Sequence, residues 1–136
     1  MYTLKRKLKF VLTSPIQVKK IPVTVDKIRA VKVRWLYYQT AGTGEKDMQI
    51  RIQEIDDSGM YVKDNGGNAR YLLAIPLDQN SAVTVTYSNY LNEMDAVLNV
   101  PIETINELNF EVLINDVIAN QITVSNPLVL EIGFYN

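Results

Sequence analysis

The side chains that most often perform catalysis are missing from this sequence. It contains no cysteine and no histidine, which excludes a thiolate nucleophile, an imidazole base, a disulfide framework and a zinc site built on nitrogen and sulfur ligands. Two carboxylates held about 5 to 10 Å apart could cleave a glycosidic bond, but no spacing singles out a pair among the fifteen acids. We therefore expect no catalytic residue, no cofactor and no enzyme activity.

Oxygen ligands gather in two neighbouring segments, as a calcium site would require. The residues concerned are Asp56, Asp57, Asp64, Asn65 and Asn68. Their spacing does not match an EF-hand loop, and the same residue types favour tight turns without any metal. The segments are therefore predicted to be turns, and no metal site is expected.

Aromatic residues form a second group that could bind a ligand. The eight tyrosines and the single tryptophan could line a surface for sugars or bases, because their rings combine apolar area with a polar group. Trp35 lies on the most regular predicted strand and is expected in the core. Tyr37 and Tyr38 are adjacent, so one of them must face outwards. Tyr87 and Tyr90 flank a predicted loop and are the candidate contacts for a ligand or a second subunit.

Charge is distributed unevenly along the chain. The formal net charge is −1, but residues 1–34 contain ten bases and one acid, a balance of +9, whereas the remaining residues carry a balance of −10. Blocks of this kind mark segments that meet nucleic acid, an anionic membrane or an acidic protein surface. The predicted partner-binding residues are Lys5, Arg6, Lys7, Lys9, Lys19 and Lys20.

Three other arrangements of this charge remain open. The basic and acidic parts could pair within one molecule and cancel. The lysines could protect an edge strand against aggregation. Alternatively, the basic segment of one copy could bind the acidic surface of the next, which would favour a ring or a shell.

The elements that position these residues are predicted to be strands. Apolar and polar residues alternate with period two, the pattern of half-buried strands, in residues 31–37, 48–52, 83–87, 108–114 and 128–134. Residues 102–107 mix both types and predict a single helical turn. Asn115 and Asp116 predict a turn into a further strand over residues 117–124.

About eight to ten such strands in 136 residues predict one all-β domain. We expect a two-sheet antiparallel sandwich, first of all a single jelly roll with a basic N-terminal arm. An immunoglobulin-like sandwich and a small barrel are the rival folds. Residues 1–20 are assigned to the arm or to an edge strand, and residues 21–136 to the sandwich.

This layout resembles that of small single jelly-roll virion proteins, which form pentons at vertices or minor shell components of icosahedral viruses. The resemblance rests on the basic segment 5–20, the alternating strands, and the closing pair 108–114 and 128–134. It implies a structural capsid subunit, made in the host cytoplasm, that forms a homo-oligomer, with a pentamer expected before a trimer.

The resemblance also implies that other capsid proteins are the partners of the N-terminal arm. Membrane insertion is not expected, and nucleic-acid contact ranks below protein contact because the body of the chain is acidic. The alternative function is a carbohydrate-binding β-sandwich module of a surface or appendage protein. A small assembly factor that binds another protein through its basic segment is a third hypothesis.

Overall fold

Strands make up nearly all of the secondary structure. The computed structural model describes residues 2–40, 44–56, 73–77, 84–89 and 93–136. Within these ranges the elements are β1 (Leu4–Leu12), β2 (Ile16–Gln39), β3 (Asp47–Ile52), α1 (Gln53–Asp56), β4 (Leu73–Pro76), β5 (Thr84–Ser88), β6 (Ala96–Ile114), β7 (Val117–Ile118) and β8 (Leu128–Tyr135). The strand pairs among them are antiparallel. The all-β prediction is therefore confirmed.

The strands pair from the outside of the chain inwards. β1 pairs with β8, the first half of β2 (residues 16–28) with β6, the second half (residues 30–39) with β5, and β3 with β4. The second half of β2 also pairs with β8, and β6 pairs with β3. An antiparallel ribbon wound in this way is a jelly roll.

The winding produces two layers, which are parts of one continuous sheet. The first layer contains β1, β8, the second half of β2 and β5; the second layer contains the first half of β2, β6, β3 and β4. β2 has 24 residues and β6 has 19, whereas strands usually have about five or six. The register between β2 and β6 shifts twice, between Lys20 and Val25 and between Ile28 and Ala30. Such bulges bend a strand, and here they carry β2 from one layer to the other.

Apolar side chains from both layers fill one core. The predicted alternation of β6 and β8 is confirmed by the buried residues Leu108, Phe110, Val112, Ile114, Leu128, Leu130, Ile132 and Phe134. The rings of Phe10 in β1 and Phe110 in β6 have centroids 5.3 Å apart and planes tilted by 58°. The first and second layers therefore contact each other directly.

One alternation prediction is wrong, and it concerns the face of β2 that carries Trp35. The pattern predicted that Trp35 and Tyr37 would share the buried face of Val33. The pairing of β2 with β8 shifts register between Val33 and Trp35. After this shift Leu36 and Tyr38 are buried, Trp35 is partly exposed and Tyr37 is 44% exposed. An extra residue in a strand reverses the faces of the residues that follow it.

Other local predictions also differ from the structure. Residues 102–107 belong to β6, which continues through Pro101 instead of forming a helical turn. β6 residues 98–101 lie opposite Arg29 alone in the pairing with β2, and a proline is tolerated in such a bulge because no ladder N–H is needed. The turn at Asn115 and Asp116 is present, with φ of 54° and 66°, but the strand after it is only the two-residue β7.

The N-terminal residues belong to the sheet. β1 makes eight residue pairs with β8, and residues 16–20 begin β2. The predicted boundary between residues 20 and 21 therefore falls inside β2. Of the two forms considered for the N-terminal segment, residues 4–12 form an edge strand and not a detached arm. Phe10 and Leu12 are buried, so deletion of residues 1–20 would remove part of the core.

The ring of Tyr135 covers Gly133 of β8. A Cβ atom at position 133 would lie 2.7 Å from Cε2 of Tyr135 and 3.1 Å from Cδ of Arg34. Gly133→Ala is therefore expected to lower the free energy of unfolding by about 1–3 kcal/mol, the usual cost of overpacking, in a urea titration. The same substitution in a Tyr135→Ala background should cost much less; equal costs in both backgrounds would contradict the contact.

Candidate functional site

Among the described residues, β1 and the first half of β2 each have one open edge, as do β4 and β5. β1 pairs there only with β8, and the first half of β2 pairs only with β6. The turn of residues 13–15 joins these two strands, so their open edges follow one side of the sandwich. We call this side the basic edge, because it carries the six predicted partner-binding residues Lys5, Arg6, Lys7, Lys9, Lys19 and Lys20.

Lys5 is the one cation of the basic edge that forms an ion pair within the described residues. Nζ of Lys5 lies 2.7 Å from Oδ1 of Asp26, and this hydrogen bond, together with the lysine charge, holds the pKa of Asp26 below its usual value. The other five cations make no ion pair with the part of the chain that the structure describes. Lys9 lies opposite Glu131 in the sheet, but that carboxylate binds Arg34 instead. Lys20 lies opposite Glu107, so the cations of this edge that neither form an ion pair nor face an acid across the sheet are Arg6, Lys7 and Lys19.

The outer side of the first layer carries residues in rows that run across the strands. One row contains Val11, Val129, Tyr37 and Thr86. The next row contains Lys9, Glu131, Trp35 and Ser88. A third row contains Lys7, Gly133 and Lys32. We call the apolar part of this surface the aromatic face, defined by Val11, Trp35, Tyr37 and Val129.

A hydrogen-bonded network supports the aromatic face. Lys32 is only 3% exposed, and its Nζ lies 5.5 Å from the ring centroid of Tyr135, within the range of a cation–π contact. Arg34 donates from Nη1 to Oη of Tyr135 at 3.2 Å and from Nε to Oε1 of Glu131 at 3.0 Å. These contacts hold the side chains beside Trp35 in fixed positions, and they leave more cations than acids on this side of the molecule.

The outer side of the second layer carries mainly acids. Arg51 lies between two of them, with Nε 3.1 Å from Oδ2 of Asp56 and Nη1 3.2 Å from Oε1 of Glu111. Glu54 of α1 and Glu107 of β6 add further negative charge. A groove of about 380 Å³ opens at this place, lined by Ile16, Gln17, Val18, Arg51, Gln53, Asn109, Phe110 and Glu111. The two outer sides of the sandwich therefore differ in the sign of their charge.

The basic and acidic parts of the chain pair with each other very little. Four ion pairs occur among the described residues. Of these, only Arg34 with Glu131 joins a base of residues 1–34 to an acid of the later part. The charge asymmetry along the chain is thus carried into the folded molecule as surfaces of different sign.

At two places in the sheet a carboxylate accepts a hydrogen bond from a backbone N–H group that no neighbouring strand covers. Neither β5 nor β6 covers the N–H group of Val33, and Oδ2 of Asp95 accepts its hydrogen bond at 2.6 Å. Burial raises the pKa of Asp95 to about 6, while the Val33 bond and the charge of Lys32 limit the rise. Beyond the end of β3, Oε1 of Glu54 accepts from the N–H of Asn109 at 2.7 Å. These acids serve the sheet and are not arranged as a pair around a cleft.

Of the two tyrosines predicted as contacts, the structure describes Tyr87, which lies on the inner side of the first layer. Tyr87 is opposite Leu36 in the sheet and packs against the core; burial, and next the charge of Asp95, raise its pKa. Tyr90 lies outside the described residues. Among the described aromatic residues, Tyr37 is 44% exposed, Tyr2 is 37% exposed, and Trp35, which is expected in the core from the sequence, is partly exposed. The adjacent pair Tyr37–Tyr38 was the one sequence signal that an aromatic ring faces outwards.

Of the five oxygen-bearing residues considered as calcium ligands and predicted to form turns, the structure describes Asp56. Asp56 lies in α1 and pairs with Arg51, and the other four candidates lie outside the described residues. In the described ranges no three acidic side chains come together in a way that could hold a metal ion. A helix long and apolar enough to cross a membrane does not occur in those ranges either.

Comparison with known proteins assigns no family to this chain. No protein-family model matches the sequence. No curated protein matches it either. The function must therefore be inferred from the basic edge, the aromatic face and the acids on the outer side of the second layer.

Proposed function

We propose that this protein is a structural subunit of a virion shell, of the penton-like or minor capsid type, without catalytic activity. The observation that carries the proposal is the basic edge, where two open strands present five cations that pair with no acid in the described residues. Jelly rolls are frequent among viral capsid domains. An open strand can add a strand from a partner, and lysines on it disfavour a second basic edge. The edge is therefore suited to an acidic partner.

The molecule itself offers a suitable acidic surface. The outer side of the second layer holds Glu111 and the buried Asp56 beside Arg51, Glu54 in α1, and Glu107 opposite Lys20. A contact between the basic edge of one copy and this surface on the next uses two different patches, and such contacts generate closed rings when the rotation closes. We therefore propose a homo-oligomer, a pentamer before a trimer, with similar contacts to neighbouring capsid proteins.

The proposal predicts a salt-sensitive oligomer, measured as native mass by light scattering. At low salt the mass should be that of a pentamer or trimer, and it should fall towards the monomer at about 1 M salt, where the screening length is about 3 Å. The triple variant Arg6→Gln, Lys7→Gln, Lys20→Gln should be monomeric at low salt. Truncation is a poor test, because residues 4–20 are part of the sheet.

A control variant separates the edge from net charge. The double variant Arg29→Gln, Lys46→Gln removes two cations that lie outside β1 and the first half of β2, and it should keep the wild-type mass. If the wild-type protein is a monomer at every salt concentration, self-association is excluded. Of the two tyrosines on which the sugar-binding alternative rests, Tyr87 packs against the core, and Tyr90 lies outside the described residues.

A further inference from the structure

We propose that the aromatic face binds single-stranded nucleic acid, an activity that does not depend on the shell assembly proposed above. Proteins that bind single strands combine aromatic rings, on which bases stack, with cations that follow the phosphates. The outer side of the first layer has both features in adjacent rows. The second layer carries acids on its outer side, so a polyanion would be held at the first layer.

The aromatic rings are placed for stacking. Trp35 and Tyr37 are two residues apart on the outer side of β2, Trp35 partly exposed and Tyr37 44% exposed. Residues two apart in a strand are about 6.6 Å from each other, nearly twice the rise of about 3.4 Å per nucleotide in a duplex strand. The two rings therefore fit bases that have been drawn apart, as in a single strand, and not a stacked helix. Val11 and Val129 extend the apolar surface.

The charges are placed for a phosphate backbone. Lys7 and Lys9 point outwards from β1 at the ends of the rows that contain Lys32 and Trp35. Lys32 lies on the same side but is only 3% exposed, and Arg34 is paired with Glu131, the one acid in these rows, at 3.0 Å. The cations exposed to a phosphate backbone are therefore Lys7 and Lys9. An acidic peptide would be attracted by the same positive charge, but it has no bases whose flat π-faces could stack on Trp35 and Tyr37.

The test uses the fluorescence of Trp35, which is the only tryptophan of the chain. An oligothymidylate of about 12 nucleotides, within the site sizes of single-strand binders, should quench this emission saturably at low salt. Tyr37→Ala should weaken binding by about ten- to a hundred-fold, the usual loss for one stacked base. Because Tyr37 is exposed, the variant should fold, which far-UV circular dichroism checks.

The lysines are tested by the salt dependence of the affinity. For single strands, each phosphate contact contributes about 0.7 to the slope of log affinity against log salt. The double variant Lys7→Gln, Lys9→Gln should therefore reduce the slope by about 1.4. The double variant Lys20→Gln, Lys46→Gln removes two cations away from the aromatic face and should leave both affinity and slope unchanged.

Three results would overturn the proposal. The first is the absence of quenching by the oligonucleotide at low salt. The second is equal quenching by dextran sulfate, a polyanion without bases, and the third is unchanged affinity in Tyr37→Ala. The native mass of Tyr37→Ala at low salt should equal that of the wild type, so loss of nucleic-acid binding and failure to assemble can be observed independently.

Discussion

Replacing Phe110 with alanine is expected to lower the free energy of unfolding by about 3–5 kcal/mol, the usual cost of removing a buried aromatic ring. Phe110 is 2% exposed and lies between Gln17 of β2 and Ile52 of β3 in the second layer. Its ring also contacts Phe10 of the first layer at 5.3 Å. The substitution would therefore open a cavity between the layers. The pairing of β6 with β2 and with β3 fixes the backbone around Phe110, so the structure cannot collapse to fill this cavity.

Urea unfolding measured by circular dichroism gives this loss directly. A double-mutant cycle with Phe10→Ala should show a coupling of about 0.5–1.5 kcal/mol, as expected for an aromatic pair. Val124→Ala is the control, because Val124 is 81% exposed and surface changes usually stay within about 0.5 kcal/mol. A loss below about 1.5 kcal/mol for Phe110→Ala would mean that its ring is not packed between the layers.

Replacing Asp95 with asparagine is expected to stabilise the protein at neutral pH. Burial raises the pKa of the folded carboxyl from 3.8 to about 6, so the folded state keeps a proton that the unfolded state releases between these values. Stability contributed by this group is therefore highest below about pH 4 and falls as the pH rises through about 6. Asparagine removes the charge but keeps an oxygen that can accept the Val33 hydrogen bond.

The size of this effect follows from the pKa. A shift of about two pKa units corresponds to about 3 kcal/mol, and partial exposure of Asp95 to solvent reduces the expected gain to about 1–2 kcal/mol. Asp95→Asn also loses the attraction between the carboxylate and Lys32, which opposes the gain. The pKa of about 6 already contains the effect of this attraction. The stabilisation should therefore be present at pH 7 and disappear below about pH 4.

Unfolding free energies of both proteins between about pH 4 and 8 test this dependence. Asp26→Asn is a matched control with the opposite sign, because Lys5 lowers the pKa of that carboxyl and its contribution is lost as the pH falls. A stability difference between wild type and Asp95→Asn that does not change with pH would show that the carboxyl titrates normally. Destabilisation at pH 7 would show that the ionised carboxylate is needed for the Val33 hydrogen bond.

Much of the fold can be predicted from local patterns. The alternation in residues 108–114 and 128–134 predicts strands whose even-numbered side chains are buried, as in β6 and β8. The pattern is reliable there because a side chain's face in a pleated strand depends only on its position along that strand. Asn115 and Asp116 adopt positive φ, for which their short polar side chains are suited. The sign change in charge after residue 34 is likewise a property of the sequence alone.

The candidate site could be predicted only in part. The six cations of residues 5–20 were identified from the sequence, but their place on two strand edges depends on which strands lie at the ends of the layers. The pattern predicts Trp35 in the core because it contains no sign of the bulge after Val33, and it leaves open which of Tyr37 and Tyr38 faces outwards. That bulge lies near the point where β2 leaves its pairing with β6 and gains β5 as a partner.

The sequence by itself determined that the chain forms antiparallel strands with one apolar side, and that its first 34 residues are basic. Only the tertiary structure decided which edges remain open, which rings face solvent, and that Asp95 closes a gap in the sheet. The physical reason is that alternation, turns and charge are properties of neighbouring residues. Bulges, open edges and raised pKa values arise where strands distant in sequence meet, and no local pattern records those contacts.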